Sequence, residues 1–149
     1  MASSLKPDIF FNTQLPDDSD TAAALAHADQ KLGGVQMVRV VCEWPAEVTN
    51  PIAALGEVEQ LIENEPLLSR SLSIRSVLAA MPGLGRDLER RLSLLSRAPP
   101  EVVNALYRPD LRRAIVAARV QDLGVAKYAP VYDRLEKRLA ALEAKLSNE

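Results

Sequence analysis

Apolar and polar positions alternate most cleanly over Val35–Trp44, where Val38, Val40, Cys42 and Trp44 interleave with Met37, Arg39, Val41 and Glu43. A period of two predicts a strand with one apolar and one mixed face, as in a sheet covered mainly on one side. The same period recurs over Leu67–Ser76 through Leu68, Leu72 and Ile74, and over Arg112–Val120 through Ala114, Val116, Ala118 and Val120. Between these runs the spacing changes to three and four. Leu25, Ala28 and Leu32 predict a helix through Ala22–Leu32, capped by Ser19 or Asp20 and stopped at Gly33-Gly34. Ile52, Leu55, Val58, Leu61 and Ile62 predict an amphipathic helix that opens with Asn50 as cap and Pro51 in the first turn, and ends near Asn64 and Pro66. A short helical turn is expected over Ser76–Met81, then a loop over Met81–Gly85. Leu88, Leu92 and Leu95 place a helix over Arg86–Arg97, and Pro99-Pro100 opens another through Tyr107. After the turn Asp122-Leu123-Gly124, a long helix over Val125–Leu146 carries the stripe Tyr128, Tyr132, Leu135, Leu139, Leu142 and Leu146.

Strands separated by helices predict an α+β class with helices packed on one face of a sheet. The core order β-α-β-β-α is that of a ferredoxin-like split βαβ unit whose last strand is missing. Short helices at about 77–108 form an insertion. Residues 1–18 form an extended arm around Ile9-Phe10-Phe11, and residues 19–149 a single domain. The missing strand would leave Val35–Trp44 with an open edge. The arm, held at high local concentration, is the nearer occupant expected there, and a second molecule is the other.

A chain of 149 residues suits one domain. A net charge of −2 advertises no polyanion as partner, and 4% aromatic residues disfavour base-stacking platforms. The start, Met1 to Asp8, has no apolar core of a signal peptide, and no apolar run approaches the ~20 residues that span a bilayer. The chain is therefore expected to be soluble, as a fragment of a membrane protein would also be.

The inventory for chemistry is thin. Cys42 is the lone cysteine and reads as a small buried hydrophobe. His27 is the lone histidine and reads as a surface residue of its helix. No metal-ligand cluster, cofactor site or catalytic constellation is expected. The GxG of Met81–Arg86 lacks the lysine and serine or threonine of a phosphate loop. Arg108, Arg112, Arg113 and Arg119 are clustered in sequence, but alternate strand residues point to opposite faces, so nucleic acid is not expected. Glu57, Glu59, Glu63 and Glu65 read as a solvated helix face, on which Glu59→Ala should be nearly silent. Val40→Asp and Leu135→Asp should each unfold the domain.

Three segments together resemble a known family. They are Asp20–Trp44, with its Gly33-Gly34 stop before the strand; the helix after Pro51 leading to Ser73–Met81; and Arg112–Val120 followed by Asp122-Leu-Gly124 and the long helix. This order, from about Asn12 to Leu146, resembles the extracytoplasmic loop of resistance-nodulation-division (RND) exporters of the MMPL-like branch. The resemblance implies a periplasmic porter domain that gives part of the path for lipids or other hydrophobic molecules. Its partners would be the membrane helices and a second porter copy, with a homo-oligomer as a further option. The family's proton-coupling residues lie in its membrane helices, so none is assigned to this chain, and the path-lining residues are left open. The competing reading is a stand-alone interaction or small-ligand module on the same fold.

Overall fold

The computed structural model describes residues 19–48, 51–81 and 88–147, with the side chains of residues 88–90 left aside. Its elements are α1 (Asp20–Leu32), β1 (Gln36–Glu43), α2 (Ile52–Glu63), α3 (Ile74–Ala80), α4 (Leu88–Ser93), a 3-10 turn Leu94–Arg97, α5 (Pro100–Leu106), β2 (Tyr107–Arg108), β3 (Arg113–Val120) and α6 (Val125–Leu146). The class is α+β. The antiparallel sheet has the order β1-β3-β2, with Gln36 opposite Val120 and Glu43 opposite Arg113. The strands expected over 35–44 and 112–120 pair as β1 and β3, but the third strand is the short β2, where a helix was expected to end, and not Leu67–Ser76.

The helical side of the sheet holds the core. Ala114, Val116, Ala118 and Val120 of β3 are buried there against Ile52, Leu55, Val58 and Ile62 of α2 and Tyr128, Val131 and Leu135 of α6. The long helix begins and ends where the apolar stripe predicted. Pro130 lies within its first two turns, and its second half, past Leu135, is only partly covered. On β1 the predicted inward residues Val38, Val40 and Cys42 do face the helices, but they are only half-buried. Val40→Asp is therefore expected to cost less than Leu135→Asp, which strikes a buried side chain.

Several local expectations are corrected. Leu67–Ser76 is not a regular strand. Only Leu72 bridges to β3, exchanging backbone hydrogen bonds with Ala117 at 2.7 and 2.9 Å. The chain turns into α3 two residues later because Ser73 caps it. The Ser73 hydroxyl accepts from Arg75 N–H at 2.9 Å, and the Ser76 hydroxyl accepts from Ser73 N–H at 3.3 Å. This reciprocal cap satisfies donors that a strand would leave free. The helix expected over Arg86–Arg97 is broken, with α4 giving way to the 3-10 turn at Leu94. Pro51, rather than Asn50, stands at the cap position of α2 and makes no side-chain bond; Asn50 itself lies outside the described residues. α1 is capped by Ser19 and stopped by left-handed Gly33, as expected, yet it buries no residue, and Leu32 is 55% exposed. The arm around Ile9-Phe10-Phe11 and most of the Met81–Arg86 loop lie outside the described residues.

The largest correction concerns the acidic side chains of α2 and its end. They are not one solvated face. The Glu59 side chain is 15% exposed; it accepts the Ser73 hydroxyl and, at 2.8 Å, Arg75 Nε. Glu63 accepts both the hydroxyl and the N–H of buried Ser71. Glu65 is 2% exposed and pairs with Arg134 at 2.7 Å and Arg138 at 3.2 Å, both on α6. Glu59→Ala is thus expected to destabilise the domain rather than pass unnoticed.

Candidate functional site

Among the described residues a groove lies beside the sheet, formed where the 3-10 turn, α5 and the β2–β3 connection meet. Leu92, Leu95, Val103 and Tyr107 supply apolar lining, and Asn104 and Asp110 are among its polar groups. Its volume is about 500 Å³, and it opens to solvent. Ligand pockets run to roughly 300–1,000 Å³, so the size fits a small molecule or part of a chain-like one.

Local sequence explains the shape. Pro99 and Pro100 have no N–H to extend the preceding turn, so the chain breaks there, and α5 restarts with Pro100 in its first turn. Tyr107 then ends α5 and enters β2. In the ladder Tyr107 lies opposite Ala114, and Ala114 lies opposite Cys42 on the other side. The small alanine allows Tyr107 to stack on Trp44, with ring centroids 6.0 Å apart and planes at 19°. The groove wall is therefore anchored to β1 through an aromatic pair. Burial pushes the Tyr107 hydroxyl above its usual pKa, so it stays a neutral hydrogen-bonding group at physiological pH.

The groove offers apolar surface rather than an acid-base pair. Asp110, its carboxylate, is held by Arg108 through two hydrogen bonds at 3.0 and 2.7 Å. The hydrogen bond from that guanidinium is what chiefly lowers the Asp110 pKa, which suits an ion pair rather than a general base. Elsewhere, Cys42 sits half-buried on β1 with its thiol pushed up to about 11 by desolvation, the opposite of an activated nucleophile. His27 is exposed on α1. Among the described residues no group of three His, Cys, Asp or Glu side chains is placed to hold a metal ion.

The arginines clustered in sequence are dispersed in space. Arg108 pairs with Asp110, Arg113 with Glu43 at 2.5 Å, and Arg119 donates to the Gly34 carbonyl at 3.3 Å. Arg112 occupies a left-handed turn at φ 49° and is exposed. They do not converge on one anion. The lining of the groove could not be read from the sequence, since it joins residues of the insertion only through the break at Pro99.

Among the described residues no helix is long and apolar enough to cross a membrane. Comparison with protein-family models, with curated proteins and with solved structures finds no match to this chain.

Proposed function

We propose that the chain serves binding and passage of hydrophobic molecules, as the extracytoplasmic porter part of a proton-driven RND-type exporter, and carries no catalysis of its own. The observation that carries this reading is the open, mainly apolar groove walled by Leu92, Leu95, Val103 and Tyr107, whose carboxylate is already tied to an arginine. It is joined by the resemblance of the three segments and by the α+β arrangement. An open apolar groove holds a chain-like molecule weakly and releases it, which suits passage. The membrane helices and a second porter copy would complete the path, at the extracytoplasmic side of a cell membrane.

Trp44 is the single tryptophan, and it stacks on Tyr107, so its fluorescence reports on the groove. Titration with lysophosphatidylcholine below its micellar concentration should shift Trp44 emission with weak affinity. Val103→Asp should weaken that response about tenfold, equivalent to about 1.4 kcal/mol. A tight, stoichiometric complex with a small polar metabolite, with no response to the lipid, would instead favour a stand-alone ligand-binding module. The coding frame gives an independent check: the transporter reading requires apolar stretches of ~20 residues encoded on either side.

A further inference from the structure

The outer edge of β1 has a composition and a hydrogen-bond phase that match a second copy of itself. In an antiparallel pair, opposed residues alternate between those that exchange backbone hydrogen bonds and those whose N–H and C=O point away. Trp44 N–H donates to the Arg112 carbonyl at 3.2 Å, and the β1–β3 register continues unbroken from there. The even-numbered residues of β1 therefore bond to β3. The odd-numbered residues of β3 confirm the phase, because Ala117 and Arg119 turn outward to Leu72 and Ser69 on the far side. It follows that the N–H and C=O groups of Met37, Arg39, Val41 and Glu43 all point to the free edge of β1, which pairs with no other strand among the described residues.

Apart from the charges of Arg39 and Glu43, this edge lacks the usual protections. The ladder shows no bulge, and no proline or lysine interrupts Gln36–Glu43. Met37 is 41% and Val41 54% exposed, and the inward Val38, Val40 and Cys42 are only half-buried.

We infer that β1 pairs antiparallel with β1 of a second copy of this chain, about a two-fold axis at Val40. That register sets Met37 opposite Glu43 of the second copy and Arg39 opposite its Val41, so every outward backbone group meets another. An antiparallel register joins odd-numbered to odd-numbered residues only when the two numbers have an even sum, and centring on Val40 uses all four. On the open face Arg39 lies diagonally from Glu43 of the second copy, so the edge is complementary to itself in charge. On the helical face Val40 meets its own mate and Val38 meets Cys42, which covers side chains now half-open. Such an isologous contact closes as a dimer and does not propagate. The inference is independent of the groove and of the transport reading.

Light scattering of the intact chain over a concentration series should show the mass rising to twice that of one chain. Val41→Lys places a charge at an exposed edge position, and Val41→Pro removes an N–H that β3 does not use. Both should remain folded by circular dichroism and be monomeric. Amide exchange at Met37, Arg39, Val41 and Glu43 should slow as concentration rises. A chain that stays monomeric throughout overturns the inference, as does a dimer that survives both substitutions. Slow exchange at those amides that is independent of concentration also overturns it, because the edge would then be covered by a segment of the same chain.

Discussion

Glu65 shows how much a single side chain can depend on distant sequence. Its carboxylate is buried just past the end of α2, and its partners Arg134 and Arg138 stand one turn apart on α6 with their own side chains about half exposed. The pair of elements is thereby latched at one end by a carboxylate between two guanidinium groups. The two sides of the latch are unequal. Glu65→Gln leaves two arginines that water can rehydrate, and should cost about 1.5–3 kcal/mol. Removing both arginines strands a buried carboxylate, and the double change Arg134→Ala, Arg138→Ala should cost about 3–5 kcal/mol. Urea unfolding of the two variants checks the order; a costlier Glu65→Gln would mean that the carboxylate is not the desolvated partner. Cys42 makes a second residue-level case. With its thiol raised to about 11 by burial, the native chain should react with iodoacetamide far more slowly than the denatured chain near pH 9, and should speed up only as pH approaches that value. The sign for stability follows: the neutral thiol favours the folded state below the ordinary thiol pKa, and that contribution is lost as pH rises toward about 11. Equal alkylation rates in the two states at pH 9 would contradict the burial.

At the scale of elements, the junction between α2 and α3 turns on Ser73. This serine caps α3 and also donates its hydroxyl to Glu59, while Arg75 bridges Glu59 and the Ile52 carbonyl at 3.0 Å. Gly56 leaves room for the Arg75 guanidinium, whose carbon would lie 2.8 Å from a Cβ placed there, so a larger residue would push this side chain from its present position. Ser73→Ala should therefore lower stability by about 1–2 kcal/mol, the scale of a lost helix cap, and Glu59→Ala should also be destabilising, both measured by thermal melts. A silent Glu59→Ala would restore the solvated-face reading. The same junction marks the limit of what the sequence alone revealed. Periodicity located α2, β3 and α6 because each buries a continuous face against the same core, and β1 because one face is half-covered by it, so local pattern and tertiary packing agree. Over Leu67–Ser76 they disagree. Leu68, Leu72 and Ile74 do alternate, but Ser73 and Ser76 offer the backbone a local cap, and the cap prevails. The burial of Glu65 was not legible, because it depends on where α6 lies, and a run of glutamates on a helix looks alike whether or not arginines from afar come to meet it. The groove was hidden for the same reason.

In the whole molecule, cover is uneven. β3 is buried on its helical face by α2 and α6, β1 stands half-covered, and α1 buries nothing, although its face of Ala22, Leu25 and Ala28 is half-shielded. What fixes α1 to the rest is a polar clamp at its C-terminal end. The Asp29 carboxylate accepts Val35 N–H at 3.1 Å and Asp122 N–H at 3.4 Å, joining the start of β1 to the β3–α6 turn, while the Asp29 carbonyl accepts Gly34 N–H at 2.8 Å. Gly34 is required beneath the clamp, with φ at 125° and a Cβ position only 2.1 Å from the Val120 carbonyl oxygen. Apolar burial sets how far a segment shares in global stability, so this domain should open in two tiers. Amides of α1 should exchange through local opening, much faster than those of α2, β3 and the first half of α6, which should exchange near the free energy of global unfolding. Asp29→Ala should then remove the remaining protection of α1 and loosen the first residues of β1, with little change in the protection of Val116 or Ile62. Hydrogen exchange resolved by residue is the measurement. If α1 exchanged only as fast as β3 in the intact chain, or if Asp29→Ala lowered protection in β3 as much as in α1, the helix would be part of the cooperative core and the clamp would not be its chief attachment.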